Sequence, residues 1–264
     1  MSERPTMSLF DLDGKVAIIT GSSRGIGRAI AEAFTDAGAK VVISSRKQDA
    51  CQQVADAINS RHGQERAIAI AASISDKAAL QALVDETRSH FGKIDILVCN
   101  AASNPYYGPM SGISDEQFRK TFDNNVLSNH WLIQMVAPEM IERKDGAMIV
   151  ISSIGGLVAS DVVGAYHITK AADFQLVRNL ALELGRHNIR VNAIAPGIIR
   201  TDFARALWEN PEAQAAINRG TPLGRIGMPE EIAGTAVFLA SKAGAFVTGQ
   251  GIVVDGGITI KAGV

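Results

Sequence analysis

The chain has 264 residues, 47% of them hydrophobic, which suits one large α/β domain with a core covered on both faces. Its 26 basic and 27 acidic side chains leave a formal charge of −1, so bulk electrostatics direct it neither to nucleic acid nor to an anionic membrane, and the expected partner is a small molecule. The two cysteines, Cys51 and Cys99, lie far apart, which argues against a disulfide framework or a Cys-rich metal site and fits a reducing cytoplasm.

The expected organisation is one domain over 1–264, with an N-terminal extension at 1–13. That extension carries Glu3, Arg4, Asp11 and Asp13 and lacks the apolar core of a signal peptide. No stretch reaches the roughly 18 to 20 apolar residues of a membrane span, and 261–264 match no targeting tail. Short, β-branched apolar runs recur at 16–20, 41–45, 67–71, 94–99, 148–152, 190–194 and 252–254. Between them, segments such as 26–37, 78–91, 174–184 and 230–239 place apolar residues at three- and four-residue spacing. The alternation predicts repeated βαβ units and an α/β, doubly wound, seven-stranded parallel sheet of the Rossmann type. Residues 198–224 interrupt the rhythm with helical sequence after the sixth run. Ligands of such sheets bind beyond the carboxyl ends of the strands, so this insertion is expected to cover the substrate as a lid.

The first run is followed directly by Thr20-Gly21-Ser22-Ser23-Arg24-Gly25-Ile26-Gly27 and then by a helical pattern. Glycines there permit a tight turn and close approach of backbone N–H groups to a pyrophosphate at a helix N-terminus. Their spacing, three residues and then one, differs from G-x-G-x-x-G, and a purely structural turn would also use glycine. At the end of the second run an NAD-type site would carry an acidic residue for the ribose 2′-hydroxyl. This chain has Ser44-Ser45-Arg46-Lys47 instead. Arg46, with Arg24 as a second cation and Ser45 as a hydroxyl donor, is the expected clamp for the 2′-phosphate of NADP(H). The alternative is that Arg46 and Lys47 only solvate a loop.

Tyr166 and Lys170 form Tyr-x-x-x-Lys, which shares one face if the segment is helical. A phenol titrates near pH ~10 when unperturbed, and a neighbouring ammonium favours its ionised form, so the pair suits acid/base work. The same spacing also arises on ordinary exposed helices. The five histidines show no short His-x-x-His or Cys/His ligand spacing, so no metal is expected.

From about Leu9 to Gly257, these motifs taken together resemble the short-chain dehydrogenase/reductase family. The glycine turn at 21–27 is similar to its cofactor turn, and Cys99-Asn100-Ala101-Ala102 to its Asn-Asn-Ala-Gly after the fourth strand. Ser153 stands thirteen residues before Tyr166, and Pro196-Gly197 occupies the family's turn after the sixth strand. The resemblance implies an NADP(H)-dependent oxidoreductase that interconverts a ketone or aldehyde and an alcohol. It gives Tyr166 the acid/base role, has Lys170 lower the tyrosine pKa and hold the nicotinamide ribose, and has Ser153 bond the substrate oxygen. Asn125 would order a water linking Lys170 to solvent. Ser152 and Asn124 are the neighbours with which Ser153 and Asn125 are most easily confused. Cofactor contacts are implied for Gly21, Ser23, Arg24, Gly25, Ile26, Gly27, Ser45, Arg46, Asn100, Ala101, Ala102, Tyr166, Lys170, Pro196, Gly197, Ile199 and Thr201. Two departures touch the adenine side: Ser73 stands where the family often has Asp, and Ala102 replaces the last glycine of the fourth-strand motif.

Expected pocket residues are Asn104, Tyr106, Tyr107, Gly155, Leu157, Phe203, Leu207 and Trp208, together with Ser153 and Tyr166; ordinary core or surface aromatics would account for the same letters. The run 104–108 with Leu207-Trp208 is similar to NADP-dependent carbonyl reductases of the family. A 3-oxoacyl-thioester reductase, an NADP-dependent alcohol dehydrogenase and a non-catalytic NADP(H) sensor are the alternatives. The family also implies a homotetramer, with 249–257 near a subunit interface.

Overall fold

The computed structural model describes residues 6–260. Of the N-terminal extension, Thr6–Phe10 forms a single 3-10 turn; residues 1–5 and the tail 261–264 lie outside the described residues. All seven apolar runs become strands: β1 (Val16–Thr20), β2 (Lys40–Ser44), β3 (Ala67–Ala69), β4 (Ile96–Cys99), β5 (Gly146–Ile151), β6 (Ile189–Pro196) and β7 (Gly251–Val254). They pair in parallel in the order β3-β2-β1-β4-β5-β6-β7, one Rossmann-type sheet in one domain.

Strand residues alternate between two cores, as the period of two requires. Ala17, Ile19, Val41, Ile43, Val98 and Ile149 pack on one face with Phe34, while Ile18, Val42, Leu97, Met148 and Val150 pack on the other with Leu132 and Val177. Burial on both faces is why β1 reads as an unbroken apolar run. The helices are α1 (Gly25–Asp36), α2 (Gln48–His62), α3 (Lys77–Phe91), α4 (Asp115–Phe122), α5 (Ser128–Arg143), α6 (Gly164–Leu184), α7 (Arg205–Trp208), α8 (Pro211–Gly220) and α9 (Pro229–Ala240). Helices α1, α2 and α9 cover the first face; α3, α5 and α6 cover the second.

Differences from the sequence expectation have local causes. β3 runs only as far as Ala69, although Ile70 and Ala72 still donate their N–H groups to the Ile43 and Ser45 carbonyls, and at this sheet edge the Gln48 side chain meets the outward-facing groups, donating to the Ala69 carbonyl at 3.0 Å and accepting from Ala71 N–H at 2.9 Å. Helix α6 starts at Gly164, ten residues before the amphipathic stretch at 174. Its first turns carry polar residues on the buried side, Thr169, Lys170 and Asp173, which break the apolar pattern. Between α4 and α5 the backbone forms a π-helical turn, Asp123–Leu127, which buries Asn124 and Asn125. Such widened turns are often found at functional sites.

Strands β2 and β4 flank β1 on opposite sides, so the crossovers leaving β1 and β4 run to opposite faces of the sheet and open a crevice at their carboxyl ends. The 198–224 insertion, built around α7 and α8, begins at that edge. Phe34 is fully buried in the core that holds α1 against the sheet. Phe34→Ala is expected to reduce unfolding free energy by about 3–5 kcal/mol, measured by urea denaturation followed by far-ultraviolet circular dichroism.

Candidate active site

The glycine turn sits at the β1–α1 junction. Gly21 and Gly25 have φ of 67° and 56°, a region that other residues enter at a cost. A Cβ on Gly27 would lie 2.6 Å from the Gly21 carbonyl oxygen and from Asn100 Nδ2. Asn100 braces the turn, donating from Nδ2 to the carbonyls of Thr20 at 2.8 Å and Gly21 at 3.2 Å. The Thr20 hydroxyl in turn accepts from the backbone N–H groups of Asn100 and Ala101. Buried Ser22 joins this turn to β2: its Oγ donates to the Ile19 carbonyl and accepts from Ser44 N–H. Helix α1 begins without a side-chain cap, so N–H groups of its first turn are available to a phosphate. The residues present fit a dinucleotide pyrophosphate.

The two predicted cations are not equivalent. Arg24 is ion-paired with Asp202 at 3.0 Å, across to the start of the insertion. Hydrogen bonding from Arg205, with help from Arg24, holds the Asp202 carboxyl below the usual carboxylate range. Arg46 is exposed and has no ion-pair partner among the described residues. Ser45, half-buried beside it, has its hydroxyl 3.1 Å from Cys51 Sγ. Ser23, Ile26, Ala101 and Ala102 are half-buried around the turn. Thr201 packs on Gly25, where a Cβ would meet Thr201 Cγ2 at 3.2 Å. Pro196 and Ile199 are buried at the exit of β6, and Gly197 lies so close to Asp255 that a Cβ would sit 2.7 Å from the Asp255 Cα.

Ser153, Tyr166 and Lys170 converge beyond the end of β5. Lys170 Nζ lies 5.6 Å from the centre of the Tyr166 ring. The Ser153 hydroxyl accepts from Gly155 N–H at 3.0 Å and is close enough to the Tyr166 phenol to favour its ionised form. Burial pushes the Tyr166 pKa up; Lys170 opposes this, and the Asp173 charge adds to it. Lys170 is 2% exposed and donates to the Ile151 carbonyl at 2.9 Å and to Asp173 Oδ2 at 3.1 Å. Burial works against its ammonium, yet Asp173 and then Tyr166 hold its pKa above the ordinary lysine value. Asn125 is fully buried; its side chain bonds both backbone groups of Ser103 and the Thr169 hydroxyl. Asn124 turns to the Ser103 hydroxyl instead, and Ser152 to the Lys170 carbonyl. Among the described residues there is no group of three His, Cys, Asp or Glu side chains fit to hold a metal.

A family described as Enoyl-(Acyl carrier protein) reductase matches residues 21–259. Dehydrogenase/reductase SDR family member 4 from Bos taurus is 40% identical over 247 residues, 93% of this chain and 88% of the relative. The 7alpha-hydroxysteroid dehydrogenase of Escherichia coli K12 is 42% identical over 249 residues, covering 93% of this chain and 94% of that protein. The chain belongs to the short-chain dehydrogenase/reductase family. Its fold is correspondingly similar to that of a gluconate 5-dehydrogenase from Burkholderia cenocepacia, crystallised with NADP and tartrate, with a TM-score of 0.93, 32% identity, and coverage of 98% of this chain and 100% of that one. A 7 alpha-hydroxysteroid dehydrogenase complexed with NADH and 7-oxo glycochenodeoxycholic acid gives a TM-score of 0.91 at 40% identity, covering 96% of this chain and 98% of that one. As a short-chain dehydrogenase/reductase, the protein is an oxidoreductase of alcohols and carbonyls.

The pocket residues expected from sequence divide into two groups. Phe203, although 62% exposed, brings its ring centre within 5.9 Å of the Tyr166 ring, and Gly155 is buried against the His167 imidazole. Trp208, by contrast, donates from Nε1 to the Thr201 carbonyl at 2.8 Å, with the Arg200 guanidinium 5.0 Å from its ring. Its polar edge therefore fastens α7 to the exit of β6. Tyr106 folds onto its own loop, its hydroxyl donating to the Pro109 carbonyl. Tyr107 and Leu157 are exposed, and Asn104 and Leu207 half-buried. Sequence reasoning did not single out Thr20, Ser22, Ser103, Asn129 or Asp173. The letters Asn129 and Asp173 carried one usable signal, since each is a polar residue on the apolar stripe of its helix.

Gly27→Ala places a methyl group against the backbone of its own turn. It is expected to weaken nicotinamide dinucleotide binding at least about tenfold, the equivalent of one lost charge-assisted hydrogen bond, with little change in the far-ultraviolet circular dichroism; fluorescence titration with the reduced cofactor measures it.

Proposed function

We propose that the protein is an NADP(H)-dependent oxidoreductase that interconverts a ketone or aldehyde and an alcohol, with Tyr166 as its acid/base. The observation that carries this reading is the convergence of Ser153, Tyr166 and buried Lys170 at one strand end. In reduction the substrate oxygen lies between the Ser153 hydroxyl and the Tyr166 phenol, and Tyr166 delivers the proton as charge develops on that oxygen. The nicotinamide, when bound, supplies the hydride. Ser153 is suited to donate because its oxygen already accepts from Gly155 N–H, which leaves its own proton for the substrate. Lys170 keeps a positive charge beside the phenol and, in this reading, also holds the nicotinamide ribose. Asn125 secures the π-helical turn beside Thr169 and is assigned the ordered water between Lys170 and solvent. In oxidation the phenolate takes the proton back.

The choice of NADP(H) rests on Arg46, the exposed cation at the end of β2, and on the lack of a carboxylate at 44–47. Arg24 joins it once released from Asp202. Phe203 with the 198–224 insertion forms the substrate lid. Relatives named for a steroid hydroxyl and for gluconate widen the substrate candidates to cyclic ketones and keto sugar acids. Buried free thiols at Cys51 and Cys99 accord with a reducing, cytoplasmic setting.

The test is a fluorescence titration with NADPH and NADH, then oxidation of NADPH with a panel of ketones, aldehydes, 3-oxoacyl esters, a 7-oxo steroid and a 5-keto sugar acid. NADPH is expected to bind more tightly, and Arg46→Ala to weaken it about 10- to 100-fold, since hydrogen bonds to a charged group are worth about 1.5–3 kcal/mol, while NADH binding barely changes. Tyr166→Phe is expected to lower turnover by about 10²- to 10⁴-fold. Cofactor binding without turnover on any member of the panel would favour a sensor, and equal binding of NADH would remove the role given to Arg46.

A homotetramer is proposed as the working form. Phe246 and Leu182 are strongly exposed apolar side chains close to the ends of β7 and α6, and surfaces of that kind are commonly buried between subunits. Light scattering coupled to size-exclusion chromatography is expected to give four times the mass of the 27.9 kDa chain; a monomer at micromolar concentration sinks this assignment.

A further inference from the structure

Lys170 has a buried counter-ion outside the Ser153–Tyr166–Lys170 set. Asp173, one turn further along α6, is fully buried and holds Nζ at 3.1 Å through Oδ2. Its other oxygen, Oδ1, accepts from Asn129 Nδ2 at 3.3 Å, and the same amide group donates to the Asn125 carbonyl at 2.7 Å. A hydrogen-bonded path made only of protein groups therefore runs from the π-helical turn, through Asn129 and Asp173, to the ammonium beside Tyr166. Every link is buried.

We propose that Asp173 is a positioning residue for the reaction: its carboxylate holds the Lys170 ammonium against the Ile151 carbonyl and offsets part of the positive field at the Tyr166 phenol. It thereby sets the pH at which the phenol changes state. The inference rests on the oxidoreductase reading for its role in turnover, but the titration of Tyr166 can be followed without substrate.

The groups that face this pair are few. On α6 they are Tyr166 and Thr169; from β5 come the Ile151 carbonyl and Ser152; from α5, Asn129; from the π-helical turn, Asn125. From β4 comes the Cys99 thiol, which burial, reinforced by Asp173, keeps neutral far above its ordinary range. Burial lifts the Asp173 pKa, while Lys170 and the hydrogen bonds from Lys170 and Asn129 pull it back. Among the described residues Asp173 is the carboxylate paired with the Lys170 ammonium, and it balances that charge while the phenol is protonated. Removing it leaves the ammonium unopposed beside Tyr166, which favours the phenolate. Reduction needs the protonated phenol, so its activity, full at low pH, falls away at a lower pH in the variant. Oxidation needs the phenolate and appears at a lower pH.

Asp173→Asn keeps the size and removes the charge. The ionisation of Tyr166 is read from phenolate absorbance, as the difference between the parent and Tyr166→Phe and between the same pair carrying Asp173→Asn. The phenolate edge is expected at lower pH in the variant, and where substrate turnover is found, the alkaline limb of reduction moves the same way while kcat falls several-fold more than KM rises. An edge that stays in place, or moves to higher pH, overturns the proposal, because a merely structural role would not displace it downward. If Asp173→Asn does not fold by circular dichroism, Asp173→Ser, smaller and also uncharged, is read in the same way: an edge at lower pH is expected, and an edge that stays in place or moves to higher pH overturns the proposal. A displaced edge in a protein that turns over no carbonyl would count against the oxidoreductase reading and leave the electrostatic role of Asp173 standing.

Discussion

A lysine ammonium that is 2% exposed requires compensation, because an unpaired buried ion carries a penalty of several kcal/mol even after relaxation. Lys170 is placed there by packing of α6 on β5 and β6, and the compensation comes from the Ile151 carbonyl at the end of β5 and from Asp173 on the same helix. Strand, helix and charge are consequently interdependent. The ammonium lies beside the phenol only if β5 ends at Ile151, if α6 begins early enough to include Tyr166, and if the facing π-helical turn supplies Asn125 and the start of α5 supplies Asn129 to satisfy the remaining polar groups. A regular α-helix through 123–127 would rotate Asn124 and Asn125 relative to Asn129 and the rest of α5.

The opposite side of the crevice follows the same logic with neutral groups. Gly21, Gly25 and Gly27 leave backbone where side chains would otherwise stand, and Thr20, Ser22 and Asn100 satisfy the exposed carbonyls and N–H groups of the turn. The bonds tie β1 to β2 through Ser22 and to β4 through Asn100, and it is between β1 and β4 that the doubly wound sheet opens. The glycine turn is in this way fixed to the rigid sheet, and a ligand bound there would meet a backbone already ordered.

The insertion links the two sides. Its first residues press Thr201 on Gly25 and pair Asp202 with Arg24, and its next residue, Phe203, reaches the Tyr166 ring. One short segment thus touches both the glycine turn and the Tyr166 ring. The Arg24–Asp202 pair is solvent-exposed and contributes little to stability, so it is a contact that a competing anion can exchange for its own.

The sequence by itself determined the sheet, because buried parallel strands must be apolar on both faces and their helices amphipathic, and both patterns are written in consecutive letters. It also determined the glycine turn and the Tyr-x-x-x-Lys pair, since both depend on residues only a few positions apart. The start of α6 was not legible, because the residues that serve the site interrupt the helical period there. The pairing of Arg24 with Asp202, the diversion of Trp208 to Thr201, and the chain of Asn125, Asn129, Asp173 and Lys170 were decided only by tertiary structure. Each joins residues on different elements, or polar residues whose partners are set by burial, and no local spacing encodes which buried donor will meet which acceptor.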